Sequence, residues 1–170
     1  MRDIVGPTLF LVRHAKSSWA DAGLTDHDRR LNARGERDAP RMASRLADRS
    51  TAPELIVSSS ALRARATAEH LVDALPGAEL RIDPRIYAAD SRRLLEIVHG
   101  LEDRFGSVAL VGHNPELTHF ANALSGAGIE NVPTSGVVEL RFPDLRWRAV
   151  GGTCAELVDF DYPKKHTGRE

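Results

Sequence analysis

The chain has 170 residues, a formal net charge of −1, one cysteine, 42% hydrophobic and 28% charged residues. That length and balance fit one soluble globular domain with a sizeable core. The single Cys154 excludes an intrachain disulfide, and the near-neutral charge argues against a nucleic-acid partner or a membrane surface. No apolar stretch approaches the ~20 residues of a membrane span, and the N-terminus carries no signal-peptide h-region, so a cytoplasmic location is expected.

In chain order, strands and helices alternate. Thr8–Val12 is an apolar, β-branched and aromatic run that reads as a buried strand. The polar stretch from Lys16 to Leu31 is longer than most loops, which points to a functional segment or to disorder. Asn32 can cap a helix whose stripe is Ala39, Met42, Ala43 and Leu46, at i, i+3, i+4, i+7. Pro53-Glu54 leads into the short strand Leu55–Val57. Ser58-Ser59-Ser60 can then cap a helix to about Leu75, stopped by Pro76-Gly77.

Leu80–Ile82 is a short strand, and Ser91 is the expected cap of a third helix carrying Leu94, Leu95, Val98 and Leu101 inward. Ser107–Val111 is the next strand, followed by a helix from Pro115 with Leu117, Phe120, Ala121 and Leu124 on one face. Gly136–Phe142 and Trp147–Thr153 are expected as a closing hairpin through Pro143-Asp144-Leu145, with Cys154 a small buried residue of a late strand. The pattern predicts an α/β three-layer sandwich: a mainly parallel central sheet, helices on both faces and an antiparallel edge. Residues 1–163 are expected to form a single domain, and 164–170 a disordered tail.

The chemistry gathers where strands stop. Arg13-His14 ends the first strand, and Gly112-His113-Asn114 ends the fourth. Arg63 lies one turn into the helix after Ser58-Ser59-Ser60. In open α/β sheets the rim outside the carboxyl ends of the strands is where ligands bind. Two arginine forks, two imidazoles and a helix N-terminus suit a tetrahedral phosphate dianion. His14 is the good nucleophile of this set; a neutral imidazole can attack phosphorus and form a phosphohistidine.

Three dispersed segments carry a family resemblance. Leu11-Val12-Arg13-His14-Ala15 resembles the Arg-His signature of the histidine phosphatase superfamily. Ser59-Ser60-Ala61-Leu62-Arg63 resembles its serine-led segment, and Gly112-His113-Asn114 its second histidine motif. Arg13–Trp19 and Asp28–Glu36 further resemble the short SixA-like phosphohistidine phosphatases of bacteria, whose clefts lack long covering insertions. The resemblance implies a phosphoglycerate mutase-like fold and a shallow, open site. It implies His14 as nucleophile, and Arg13, Arg63 and His113 as holders of the phosphoryl oxygens. No cofactor and no metal are expected, since arginines and histidines take the place of a cation.

Many family members place a glutamate acid in a segment comparable to Arg85–Asp90, where this chain has none. Asp90 is one substitute; Asp21, Asp26 and Asp28 in the first loop are others, and the first loop is the preferred source. A phosphoramidate leaving group relaxes the demand, because an imidazole nitrogen is protonated more easily than an alkoxide. Lys16, Ser17 and Asn114 are further pocket candidates. Trp19 reads as packed beneath the first loop, or alternatively as an aromatic wall for a substrate. Arg29, Arg30, Arg34, Arg37 and Arg41 read as a solvated helix face, or as a dock for an acidic partner.

The expected activity is metal-independent phosphate removal from a phosphorylated substrate, with a phosphohistidine-bearing signalling protein as the leading candidate. A phosphatase of small phosphorylated metabolites and a non-catalytic phosphate-binding module are the alternatives. The sequence assigns no oligomeric state.

Overall fold

The computed structural model describes residues 5–167. Six strands form one sheet: β1 (Thr8–Arg13), β2 (Leu55–Ser58), β3 (Glu79–Ile82), β4 (Ser107–Gly112), β5 (Val137–Arg141) and β6 (Glu156–Asp161). Their order is β3-β2-β4-β1-β5-β6. The first four strands of that row run parallel; β5 pairs antiparallel with β1, and β6 antiparallel with β5. This is the three-layer α/β arrangement expected, with the antiparallel pair at one edge.

Four helices, α1 (Ala33–Ala47), α2 (Leu62–Ala74), α3 (Ser91–His99) and α4 (Glu116–Ser125), connect the strands. Alternation along β1 sorts the core into two halves, because successive strand side chains point to opposite faces. Phe10 and Val12 pack with Met42, Ala43 and Leu46 of α1 and Ala64, Ala68 and Leu71 of α2. Leu9 and Leu11 pack with Leu94, Ile97 and Val98 of α3 and Leu117, Phe120 and Leu124 of α4. With both faces covered, Leu9–Val12 of β1 and Val108–Val111 of β4 are continuous apolar runs, as buried parallel strands require.

Local signals place the helix starts. Asn32 caps α1 through its side chain, which accepts from the Gly35 amide at 2.9 Å. In α3 the cap is Asp90 rather than Ser91: its carboxylate accepts from the Arg93 amide at 2.9 Å, so Ser91 becomes the first helical residue. At α2 the serines stop short of capping. Ala61 holds the cap position without a side-chain bond, and Ser59 Oγ accepts from the Ala61 amide just before it.

The expected closing hairpin is corrected. Trp147–Ala149 is a short 3-10 turn, and the last strand begins at Glu156. The cause is the Trp147 indole: it is buried, meets Phe142 edge-on at 6.4 Å, and donates its Nε1–H to the Phe105 carbonyl at 2.8 Å. Burying this ring beneath the sheet takes residues 147–153 out of the strand plane. Cys154 accordingly lies in a turn, half-buried, its thiol 2.8 Å from the Gly151 carbonyl. β6 is held instead by charge: Arg49 ion-pairs with Glu139 and, at 2.9 Å, with Asp159, while Arg45 reaches Asp161 at 3.3 Å. Residues 164–167 of the expected tail form a turn, with the Thr167 amide donating to the Lys164 carbonyl. Residues 168–170 lie outside the described residues. Among the described residues, no helix is long and apolar enough to cross a membrane.

Candidate active site

The carboxyl ends of β1, β2 and β4 meet at one rim because the three are parallel neighbours, and the ladder onto β4 continues one residue past β1 and β2. The His14 amide donates to the Gly112 carbonyl at 3.0 Å and the Ser59 amide to the Val111 carbonyl at 3.0 Å. Arg13, His14, Lys16, Ser17, Trp19, Asp26, Arg29, Arg63, His113, Asn114 and Thr134 line a pocket of about 330 Å³ there. The four residues expected at its centre, Arg13, His14, Arg63 and His113, are brought together.

His14 is buried. Its Nδ1 lies 2.7 Å from the Ala15 carbonyl, which can only accept, so Nδ1 carries the proton and Nε2 the lone pair. Arg63 Nε donates to that Nε2 at 3.4 Å, and the His113 ring stands 5.2 Å away, tilted by 51°. Burial first, and then the charges of His113, Arg63 and Arg13, hold the imidazolium form of His14 down to a pKa of about 3, against the opposing Ala15 bond. His113 is held at about 4, chiefly by burial and next by Arg63. Both rings are therefore neutral near pH 7.

Supporting contacts fix these groups. Thr67 Oγ accepts from the Ala15 amide at 2.9 Å and donates to the Arg63 carbonyl at 2.8 Å, which ties the turn after His14 to the helix that carries Arg63. Ser59 Oγ is hydrogen-bonded to His113 Nε2 at 2.7 Å. Arg13 Nη1 donates to the Val132 carbonyl at 2.9 Å. Arg13 Nε and His113 Nδ1 are buried without a protein partner. Asn114 lines the pocket, but its amide also donates to the Asn131 side chain at Oδ1 and to the Val132 backbone carbonyl, each at 2.9 Å.

Of the four carboxylates expected as acid candidates, the structure brings one to the pocket. Asp26 lies on the 3-10 turn Asp26–Asp28 of the first loop. Its Oδ2 accepts from the Tyr87 hydroxyl at 2.7 Å and Arg63 Nη2 at 3.1 Å, and its Oδ1 from Arg29 Nε at 3.0 Å. The Tyr87 bond first, with the two arginines, holds this carboxyl down to about 2, so it is an anion at neutral pH. Asp21 turns back to accept from the Gly23 amide and lines a different depression, with Leu24 and Arg30. Asp28 accepts from the Thr25 hydroxyl, and Asp90 is committed to the α3 cap. Each of these three satisfies local backbone or hydroxyl donors outside the pocket, which explains its absence from it.

Two expectations about the first loop change. Arg29 is buried, not part of a solvated face: Nη1 donates to Ser17 Oγ at 2.7 Å, and its guanidinium lies 3.5 Å over the Trp19 ring. Ser17 meets the pocket through that contact. Trp19 is 74% exposed, so it stands at the rim and is not packed beneath the loop. Tyr87 and His27 are additions to the sequence reading. Tyr87 lies edge-on to His113 at 5.6 Å and to His27 at 4.9 Å; His27 Nε2 is 2.9 Å from Ser60 Oγ. Tyr87 lies within Arg85–Asp90, and no local pattern in that segment marks it as a pocket residue. Among the described residues, no group of three or more His, Cys, Asp or Glu is placed to hold a metal ion.

Residues 9–91 match the model of the histidine phosphatase superfamily, branch 1. The chain belongs to this superfamily. An uncharacterized protein of Mycobacterium leprae is 33% identical over 165 residues, covering 90% of this chain and all of that one. Among solved structures, a SixA protein from Agrobacterium tumefaciens, a candidate phosphohistidine phosphatase, superimposes with a TM-score of 0.81 at 32% identity, covering 93% of this chain and 99% of that one. The protein histidine phosphatase SixA complexed with tungstate shares the fold at TM-score 0.77 and 19% identity, over 92% of this chain and 98% of that one. The chain is thus a SixA-like member of a phosphatase family.

Proposed function

We propose that this protein is a metal-independent phosphatase that uses His14 as nucleophile and removes phosphate from protein phosphohistidine. The observation that carries the reading is the His14 ring: neutral, its tautomer set by the Ala15 carbonyl, its Nε2 facing Arg63 and His113. In the first step Nε2 bonds to phosphorus while the bond from phosphorus to the leaving nitrogen breaks. Arg13, Arg63 and His113 hold the equatorial oxygens. The released imidazole takes up its proton from solvent. In the second step water attacks phosphorus, the Nε2–phosphorus bond breaks, and inorganic phosphate leaves with His14 neutral again.

Two things support a nitrogen leaving group over an alkoxide. Asp26, the carboxylate in the pocket, is held ionised and cannot act as an acid while its arginine and tyrosine contacts stand. Its structural relatives include SixA proteins. The test compares phosphate release from a phosphohistidine-bearing protein and from an alkyl phosphate, with EDTA present and His14→Ala as control. Preference for phosphohistidine, abolished in the variant, is the expected result. Faster turnover of the alkyl phosphate would keep the nucleophile and move the substrate to small metabolites. Phosphate binding without turnover of any phosphorylated compound would make this a binding module.

A further inference from the structure

In the structure the Arg63 fork is already occupied, by a residue of the chain itself. Asp26 presents both carboxylate oxygens to Arg63, Arg29 and Tyr87, and so occupies Arg63, one of the donors a phosphoryl group would meet, together with Arg29 of the same pocket. We infer that the Asp26 carboxylate is a built-in competitor for the phosphate subsite, and that Arg29 is a third phosphate-binding arginine exposed when Asp26 swings out. The inference rests on the phosphatase reading and adds to it a ligand and an exchange step.

Three features carry it. First, Arg29 is built as a ligand-binding fork. Ser17 Oγ holds one end, the Trp19 ring lies under its plane, and the side chain lines the same pocket as Arg13 and Arg63. An arginine fixed in this way loses little freedom on binding an anion, and its planar fork matches phosphate. Second, Asp26 is free to leave. It lies on a single 3-10 turn that buries no residue, and its side chain is 46% exposed. Third, positioning and competition are divided between two parts of the same residue. The Asp26 backbone carbonyl accepts from Arg63 Nη1 at 2.6 Å, separately from the carboxylate. Arg63 therefore keeps an anchor to this turn when the carboxylate is removed.

The competitor has a use in the reaction. A pocket with three arginines would hold inorganic phosphate, the product, tightly. A tethered carboxylate that returns to the forks favours product release, and it neutralises the guanidinium groups between turnovers.

The test is calorimetric titration with inorganic phosphate of the wild type, Asp26→Asn, Arg29→Gln and the double variant. Asn keeps the shape and removes the charge, so Asp26→Asn should bind phosphate about tenfold tighter, the scale of one half-exposed charge-assisted contact set. Adding Arg29→Gln to Asp26→Asn should reverse that gain by a similar factor. Unchanged or weaker binding by Asp26→Asn would overturn the competitor role and make Asp26 a positioning residue for Arg63. No effect of Arg29→Gln in the Asp26→Asn background would remove Arg29 from the subsite. Near-ultraviolet circular dichroism checks that each variant keeps its fold. Hydrolysis of an aryl phosphate by wild type, lost in His14→Ala, tests the phosphatase reading apart from these affinities. Turnover with no gain in Asp26→Asn sinks the inference alone; neither turnover nor phosphate binding sinks both.

Discussion

Replacing Gly35 with alanine sets two effects of opposite sign against each other, and the structure says which wins. Gly35 lies in the first turn of α1, where alanine normally stabilises a helix by about 1 kcal/mol relative to glycine. A Cβ on Gly35, however, would stand 2.1 Å from the Lys16 carbonyl oxygen, against ordinary contacts that begin at 3.4 Å. More than 1 Å must be recovered, and the atom in the way is backbone. It is also pinned, since the Asn32 amide donates to it at 2.9 Å. Overpacking costs roughly 1–3 kcal/mol, and a rigid obstacle belongs at the upper end. The net expectation is destabilisation by about 2 kcal/mol, or roughly 4–8 °C in Tm for a chain of this size. Activity should fall further than stability. Lys16 is two residues from His14, and displacing reacting groups by 1 Å can cost about a hundredfold. Thermal denaturation and aryl phosphate turnover read the two effects. Ser44→Ala, exposed on the same helix, supplies the control for helix propensity and should leave Tm within about 1–2 °C. A Gly35→Ala protein more stable than wild type would refute the reasoning, because it would mean that α1 can move off Lys16 without cost.

Other outcomes follow from the same geometry. His14 and His113 stay neutral in the folded protein down to about 3 and 4, whereas an unfolded chain protonates its histidines near 6.5. Between pH 6.5 and 4 unfolding therefore takes up protons. The stability associated with these two rings is fully present above 6.5 and declines as pH falls, by up to about 1.4 kcal/mol per pH unit for each. Urea titrations at pH 7 and 5 should differ for the wild type and differ less for a His14→Gln variant; equal slopes in the two proteins would count against the depressed His14 pKa. Ser59→Ala removes the hydroxyl bonded to His113 Nε2 and should lower kcat/KM about tenfold, with a stability loss of about 1 kcal/mol because the same hydroxyl accepts from the buried Ala61 amide. Ser135 is buried with φ 61° and an unpartnered hydroxyl, so Ser135→Gly should raise stability by about 1 kcal/mol, measured by thermal melts.

The strand ends were legible in the sequence because their signals are local. Leu9–Val12 and Val108–Val111 are continuous apolar runs, and the residues that follow each must emerge at the rim, which places Arg13, His14 and His113 there. Arg63 followed from its distance past the serines and from the family motif. The other wall of the pocket was not legible. Asp26, Arg29 and Tyr87 converge from a loop with no period and from a turn 61 residues further on, and nothing in either segment encodes the meeting. The arginine-rich stretch from Arg29 to Arg41 looked uniform in composition. Only the fold separates Arg29, turned onto Trp19 and Ser17, from Arg30 and Arg41, which remain in solvent. The misplaced last strand has a similar cause. The local pattern of residues 147–153 favours a strand, but a distant carbonyl, Phe105, claims the Trp147 indole.

The pocket thus joins two materials. His14, Ser59 and His113 follow three neighbouring parallel strands, β1, β2 and β4, and the His14 and Ser59 amides are themselves part of the ladder, so these residues loosen only with the sheet. Asp26 and Trp19 belong to a solvent-facing loop whose side chains can be exchanged without touching that ladder. Mutation can therefore explore new substrates on the pliable wall while the reacting atoms stay fixed. In such a fold substrate choice should diverge among descendants far faster than chemistry, and a catalytic histidine would be a poor guide to what a given member dephosphorylates.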